Sequence, residues 1–146
     1  MKINIQINEN IEDVNIDIVC PQLTAEIERI LAAIRMLDHQ LTGTKNGETY
    51  LIDIRKIIYI ESVDRQCFLY TEKNIYETNS KLYELEQQLN EFGFIRINKS
   101  TLINLQKIQS LKAEINRKIR ITLCNKEQII ASRKYADELK KRIGVK

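Results

Sequence analysis

The chain of 146 residues is 43% hydrophobic and 29% charged with a net charge of +3, a balance that suits one domain with a buried core and at most a small appendage. No apolar run approaches the roughly 18 residues of a membrane span. The opening MKINIQINENIEDVNIDIV alternates and carries acids, unlike a signal peptide, so a cytoplasmic protein is expected.

The charge is unevenly spread. Residues 1–43 hold three Lys/Arg against seven Asp/Glu, residues 44–93 six against nine, and residues 94–146 fourteen against four. A basic excess confined to one part of a chain points to a polyanionic partner; the plainer alternative is a solvated basic face. Cys20, Cys67 and Cys124 are odd in number and form no C-x-x-C, and His39 is the only histidine. Neither a disulfide framework nor a tetrahedral zinc site has support, so no metal and no cofactor are expected. Cys20 and Cys124 read as small core residues in strand-like runs. With no histidine placed to serve a nucleophile, the residues point away from an enzyme, and no small-molecule substrate is evident.

In chain order, residues 2–8 and 14–19 alternate Ile3, Ile5, Ile7 and Val14, Ile16, Ile18 against polar neighbours, as two half-buried strands do. The acidic stretch 9–13 joins them as a hairpin, and Pro21 stops the second strand. Thr24 can cap a helix in which Ile27, Ile30, Leu31, Ile34 and Leu37 recur at helical spacing. Residues 1–40 thus read as a ββα unit too small for its own core, which packs on the remainder or on a second copy. Residues 41–146 form the main domain. Asn46-Gly47 supplies the positive φ angles of a two-residue turn between residues 41–45 and 48–54. Residues 57–60 follow as an apolar strand, 61–66 as a polar loop, and 67–71 with 75–78 as a hairpin around Lys73-Asn74.

Ser80 is positioned to cap a helix with the stripe Leu82, Leu85, Leu89 and Phe92, ending at Gly93. Residues 94–104, FIRINKSTLIN, then place Phe94, Arg96 and Asn98 on one face and Ile95 and Ile97 on the other. Polar Asn98-Lys99-Ser100-Thr101 interrupts the run before Leu102-Ile103 resumes, so two strands meet at a basic joint. Strands 108–111, 119–123 and 127–131 come next, joined by Asn116-Arg117-Lys118 and Asn125-Lys126. The last helix opens at Ser132-Arg133-Lys134-Tyr135, turns Tyr135, Leu139 and Ile143 inward, and ends at Gly144. Lys140, Lys141 and Arg142 complement the dipole of its final turn.

Arg133 and Lys134 differ from those cations. In a first helical turn the dipole disfavours positive charge, and an anion in front of the exposed N–H groups offsets that cost. Three polar, basic junctions at strand ends share this character: Asp64-Arg65-Gln66, Asn98-Lys99-Ser100 and Ser132-Arg133-Lys134. Their residue types read base edges and hold phosphates. No aromatic ladder accompanies them for stacking single-stranded bases, and no helix-turn-helix, zinc finger or basic zipper is visible. Binding of duplex DNA would therefore use loops on a β scaffold. The rivals are an RNA-binding β module and a protein-interaction module with an acidic partner.

YIES at 59–62, LYELEQQL at 82–89, FIRINKSTLIN at 94–104 and IIASRKY at 129–135 together resemble the LytTR (LytR/AlgR-type) DNA-binding domain family, over roughly residues 45–144. The resemblance implies an α+β, β-dominated fold, mostly antiparallel with short helices, here preceded by the ββα unit. It implies a transcriptional regulator whose loops enter successive major grooves, commonly as a homodimer on repeated half-sites. The base readers would be Lys99 and either Arg133 or Lys134, with Arg65 and Gln66 on the third loop. Arg96, Asn98, Ser100 and Ser132 would lie close to the DNA backbone. The family often shows His-Arg where this chain has Asn98-Lys99, and it often carries a receiver domain. The ββα unit stands in that domain's place, as in stand-alone regulators found beside small membrane proteins.

Overall fold

The computed structural model describes residues 1–145, without the side chains of residues 35–38. Two compact units divide it, Met1–Arg35 and the chain from Met36 onward.

In the first unit only the helix expected from the sequence forms. α1, Ala25–Asp38, starts at Thr24, whose hydroxyl accepts from the Ile27 N–H at 3.4 Å and whose carbonyl accepts from Glu28 at 3.0 Å. Ile27, Ile30, Leu31 and Ile34 make a half-buried stripe, while the Leu37 side chain lies outside the described residues. The two expected strands are corrected. A turn does close at Asn8, which accepts from Asn10 at 2.9 Å and Ile11 at 3.4 Å, but no ladder follows it. Ile3, Ile5, Ile7, Val14 and Ile16 remain exposed. A two-stranded hairpin with no third strand or packed face is marginal in water, which accounts for the failure of alternation alone to make a sheet.

The first strands of the second unit are β1 (Gln40–Lys45) and β2 (Glu48–Asp53), joined by the two-residue turn Asn46-Gly47 with φ of 53° and 80°. Gly43 is required inside β1, since a Cβ there would lie 2.7 Å from Ile52 Cδ1 and 2.8 Å from Tyr76 Cβ. A 3-10 turn, Ile54–Lys56, leads to β3 (Tyr59–Val63), then come β4 (Gln66–Tyr70) and β5 (Ile75–Thr78). The expected polar loop 61–66 is mostly strand: Glu61, Ser62 and Val63 pair with Phe68, Cys67 and Gln66, leaving Asp64-Arg65 as the turn. α2 (Leu82–Leu89) buries Leu82, Leu85 and Leu89 as the stripe predicts. Its N-cap is Lys81 rather than Ser80, and Glu84 reaches back to accept from the Lys81 N–H at 3.2 Å.

β6 (Phe94–Asn98), β7 (Thr101–Asn104), β8 (Ile108–Ala113), β9 (Ile119–Leu123), β10 (Gln128–Ala131) and α3 (Arg133–Ile143) complete the chain. All pairings are antiparallel, in a seven-stranded sheet ordered β2-β1-β5-β4-β3-β7-β6 and a three-stranded sheet ordered β10-β9-β8. Alternation along the central strands feeds two cores. Ile60, Leu69, Phe94 and Leu102 bury with the α2 leucines, whereas Tyr59, Ile95, Ile97 and Ile103 bury with Ile119, Ile121, Leu123 and Ala131 of the small sheet and Leu139 of α3. Tyr59 stacks on Tyr70 at 4.2 Å and donates to Glu127 at 2.8 Å, pinning the β9–β10 turn to the larger sheet. Burial pushes the Tyr59 phenol pKa up, so it stays a donor.

The cysteines also correct the sequence reading. Cys67 is the buried one, sharing inward parity with Leu69 on β4; Cys124 is exposed and Cys20 half-buried. Leu123 takes the last inward position of β9, so the next residue points out.

Candidate nucleic-acid interface

The joint in FIRINKSTLIN is a tight β6–β7 turn beside a bulge between Arg96 and Asn98. Asn98 Oδ1 accepts from the Ser100 N–H at 2.9 Å and the Ser100 hydroxyl at 3.2 Å, and Asn98 Nδ2 donates to the Ile130 carbonyl at 3.3 Å. Arg96 lies on the same face as Phe94 and so points toward α2. There it pairs with Glu86 at 3.0 Å and donates to the Lys99 carbonyl at 2.9 Å. Its Nε is buried without a partner, and its side chain is only 16% exposed. Asn98, Ser100 and Arg96 thus shape the turn, and Lys99 projects from it into solvent.

The β3–β4 turn lies next to it, since the Ser62 N–H donates to the Ser100 carbonyl at 2.8 Å. Asp64 and Arg65 adopt φ of 50° and 67°, the two positive values a two-residue hairpin needs, and Arg65 is exposed. Gln66 is turned back to the sheet, donating to the Thr78 carbonyl at 2.9 Å. A hollow of about 530 Å3 lies among Ser62, Leu82, Tyr83, Arg96, Lys99 and Ser100.

On the other side the β10–α3 junction adjoins the same turn. The Ser132 N–H donates to the Ile97 carbonyl at 2.8 Å, and the Ser132 carbonyl accepts from Tyr135 and Ala136, each at 3.0 Å. The Ser132 hydroxyl makes no capping bond, so side-chain capping does not satisfy the first turn of α3. That turn has no acid and carries exposed Arg133 and Lys134, the latter with its ammonium 5.4 Å from the Tyr135 ring. A cleft of about 610 Å3 joins Ser132, Arg133 and Lys134 to Asn116 and Lys118. Sequence reading passed over those last two as an ordinary connection; their signal was the same pairing of a polar residue with cations between strands.

Backbone hydrogen bonds therefore set three separated segments edge to edge. Of the predicted residues, Arg65, Lys99, Arg133 and Lys134 stand exposed along this row, while Gln66, Arg96, Asn98, Ser100 and Ser132 are half-buried, with bonds that fix the loops. The ion pairs among the described residues join Arg55 to Asp53, Arg96 to Glu86 and Arg120 to Glu114. None of the four exposed cations takes part. Cations held on stiff turns, outside these ion pairs, suit a polyanion whose charges recur at fixed spacing. No helix among the described residues is long and apolar enough to cross a membrane.

Comparison with known proteins agrees with this architecture. Residues 47–144 match the model of the LytTr DNA-binding domain family. A Staphylococcus aureus protein (strain NCTC 8325 / PS 47) named an uncharacterized HTH-type transcriptional regulator is 32% identical, covering 99% of each chain, and that of the bovine strain RF122 is 33% identical over the same share. Among the described residues strands separate each α-helix from the next, and no helix-turn-helix is formed there. A LytTr DNA-binding domain from Bacillus cereus superposes with a TM-score of 0.69 at 22% identity, covering 73% of this chain and 97% of that one. By the match over residues 47–144, this chain belongs to the LytTr DNA-binding domain family.

Proposed function

We propose that the chain is a transcriptional regulator that binds duplex DNA sequence-specifically, through the row formed by the β3–β4 turn, the β6–β7 turn and the β10–α3 junction. The observation that carries this reading is the row itself: Arg65, Lys99, Arg133 and Lys134 are exposed, outside the ion pairs, and aligned by the Ser62–Ser100 and Ile97–Ser132 backbone bonds. Lys99 and Arg133 or Lys134 enter the major groove, and neighbouring N–H groups hold phosphates. The protein acts in the cytoplasm and binds as a homodimer on repeated half-sites. The exposed Ile side chains of the N-terminal unit support a role for that unit in self-association, because apolar surface on this scale calls for a partner. The unit is shared by the S. aureus relatives, whose match spans 99% of the chain.

The test is competition among duplex DNA, a structured RNA and heparin across a salt series. Duplex DNA should compete best and lose about 10³-fold or more in affinity between 50 and 200 mM salt if six or more phosphates are engaged. Equal competition by RNA or heparin at every salt concentration would overturn the reading.

A further inference from the structure

We infer that the β8–β9 loop, Ile115–Arg117 with Lys118, is a DNA-contacting segment that extends the footprint beyond α3; this rests on the DNA-binding reading above. The motivating arrangement is the cleft in which Asn116 and Lys118 face Ser132, Arg133 and Lys134. The loop packs against α3, so it is held in place relative to the junction. Arg117, Lys118, Arg133 and Lys134 are exposed and stand outside the ion pairs of the described residues, while the nearby Glu114 is occupied by Arg120 at 2.6 Å. Lys118, Arg133 and Lys134 line the cleft with Arg117 next to Lys118 in the loop, and cations gathered there repel one another and favour a phosphate strand running between the two segments.

The loop's shape is consistent with that use. Asn116 and Arg117 both adopt φ of 61°, and the Glu114 N–H donates to the Lys118 carbonyl at 2.9 Å, closing the loop at its base. Asn116 and Arg117 form the tip, and Ile115, which opens the turn, is 81% exposed and packed in neither core. An exposed aliphatic side chain followed by Asn, Arg and Lys suits the edge of a groove, where it meets sugar or a thymine methyl while the cations hold phosphates. An acidic protein partner would favour the same cations, and the experiment separates the two.

The full chain is assayed on a mixed-sequence duplex, with Arg117→Gln/Lys118→Gln beside Lys140→Gln/Lys141→Gln, which removes the same charge from the opposite end of α3. The loop variant should bind about five- to tenfold more weakly, and the slope of log affinity against log salt should flatten by about one to two. The Lys140/Lys141 variant should lose under about twofold, since distant cations contribute only through the screened field. Ile115→Ser should weaken binding without changing that slope, a result that a purely electrostatic or protein-directed loop would not give. Hydroxyl-radical protection should retract at one end of the footprint in the loop variant. Equal losses in the two double variants, or full affinity in Arg117→Gln/Lys118→Gln while Arg133→Ala binds poorly, would overturn the fourth contact and leave the three-loop reading standing. Full affinity in Arg133→Ala as well would remove both.

Discussion

Lys99 and Arg133 are exposed cations at strand ends, yet they differ in what they can hold. A guanidinium can take both acceptors of one guanine, worth about 1–3 kcal/mol of discrimination, whereas an ammonium is a point charge. Arg133→Ala should therefore weaken binding to a mapped site more than to scrambled DNA. Lys99→Ala should discriminate less between the two than Arg133→Ala does and flatten the salt slope by about one. Both variants should keep stability within about 0.5 kcal/mol of the parent, checked by melting; unchanged affinity in both would place the DNA elsewhere. Arg96 calls for a different experiment. Its bonds to Glu86 and the Lys99 carbonyl make it a positioning residue for the turn, so Arg96→Gln should lower affinity with the salt slope unchanged. A slope shallower by about one would instead make it a phosphate contact. The same substitution should cost about 1–2 kcal/mol of stability through the lost charged hydrogen bonds.

At the scale of elements, short irregular pieces carry the chain between the regular ones, and Asp53 shows how. Its carboxylate accepts from the Arg55 N–H at 2.9 Å and pairs with the Arg55 guanidinium at 2.7 Å, closing the turn from β2 toward β3. The Arg55 side chain donating to it holds the Asp53 carboxyl below the usual carboxylate range. A lowered folded-state pKa stabilises the fold above the unfolded value of about 4, and the contribution is lost as pH falls through the lowered value. Asp53→Ala should cost about 0.5–1 kcal/mol at neutral pH by loss of the cap, and the difference from the parent should shrink on acidification. Denaturant titrations at neutral and acid pH check this; a cost that persists in strong acid would show that the charge is irrelevant.

At the scale of the whole molecule, the two compact units differ in what they bury. The unit from Met36 onward fills two cores, whereas the N-terminal segment leaves Ile3, Ile5, Ile7, Val14 and Ile16 exposed. If self-association covers those side chains, deletion of residues 1–40 should yield a monomer by light scattering with the DNA-binding unit still folded. A truncated protein with the oligomer of the parent would refute this role. Loss of paired half-site binding, with single-site binding retained, is the accompanying expectation.

Much of this was legible in order along the chain. The α2 stripe, the Asn46-Gly47 turn, the strands on either side of Lys99 and the Gly144 stop all follow from local rules, because period, turn chemistry and caps act over a few residues. The resemblance placed the basic junctions in one family before any contact was known. Alternation in residues 2–8 and 14–19 misled, since a strand exists only when a partner accepts its hydrogen bonds, and that is not a local property. The tertiary structure alone decided which polar residues remain free. Arg96 and Lys99 are three positions apart and look equally available in sequence, but strand parity turns Arg96 onto Glu86 and the turn leaves Lys99 in solvent. The nearness of Asn116 and Lys118 to Arg133 likewise depends on the small sheet folding back, which brings together segments more than a dozen residues apart.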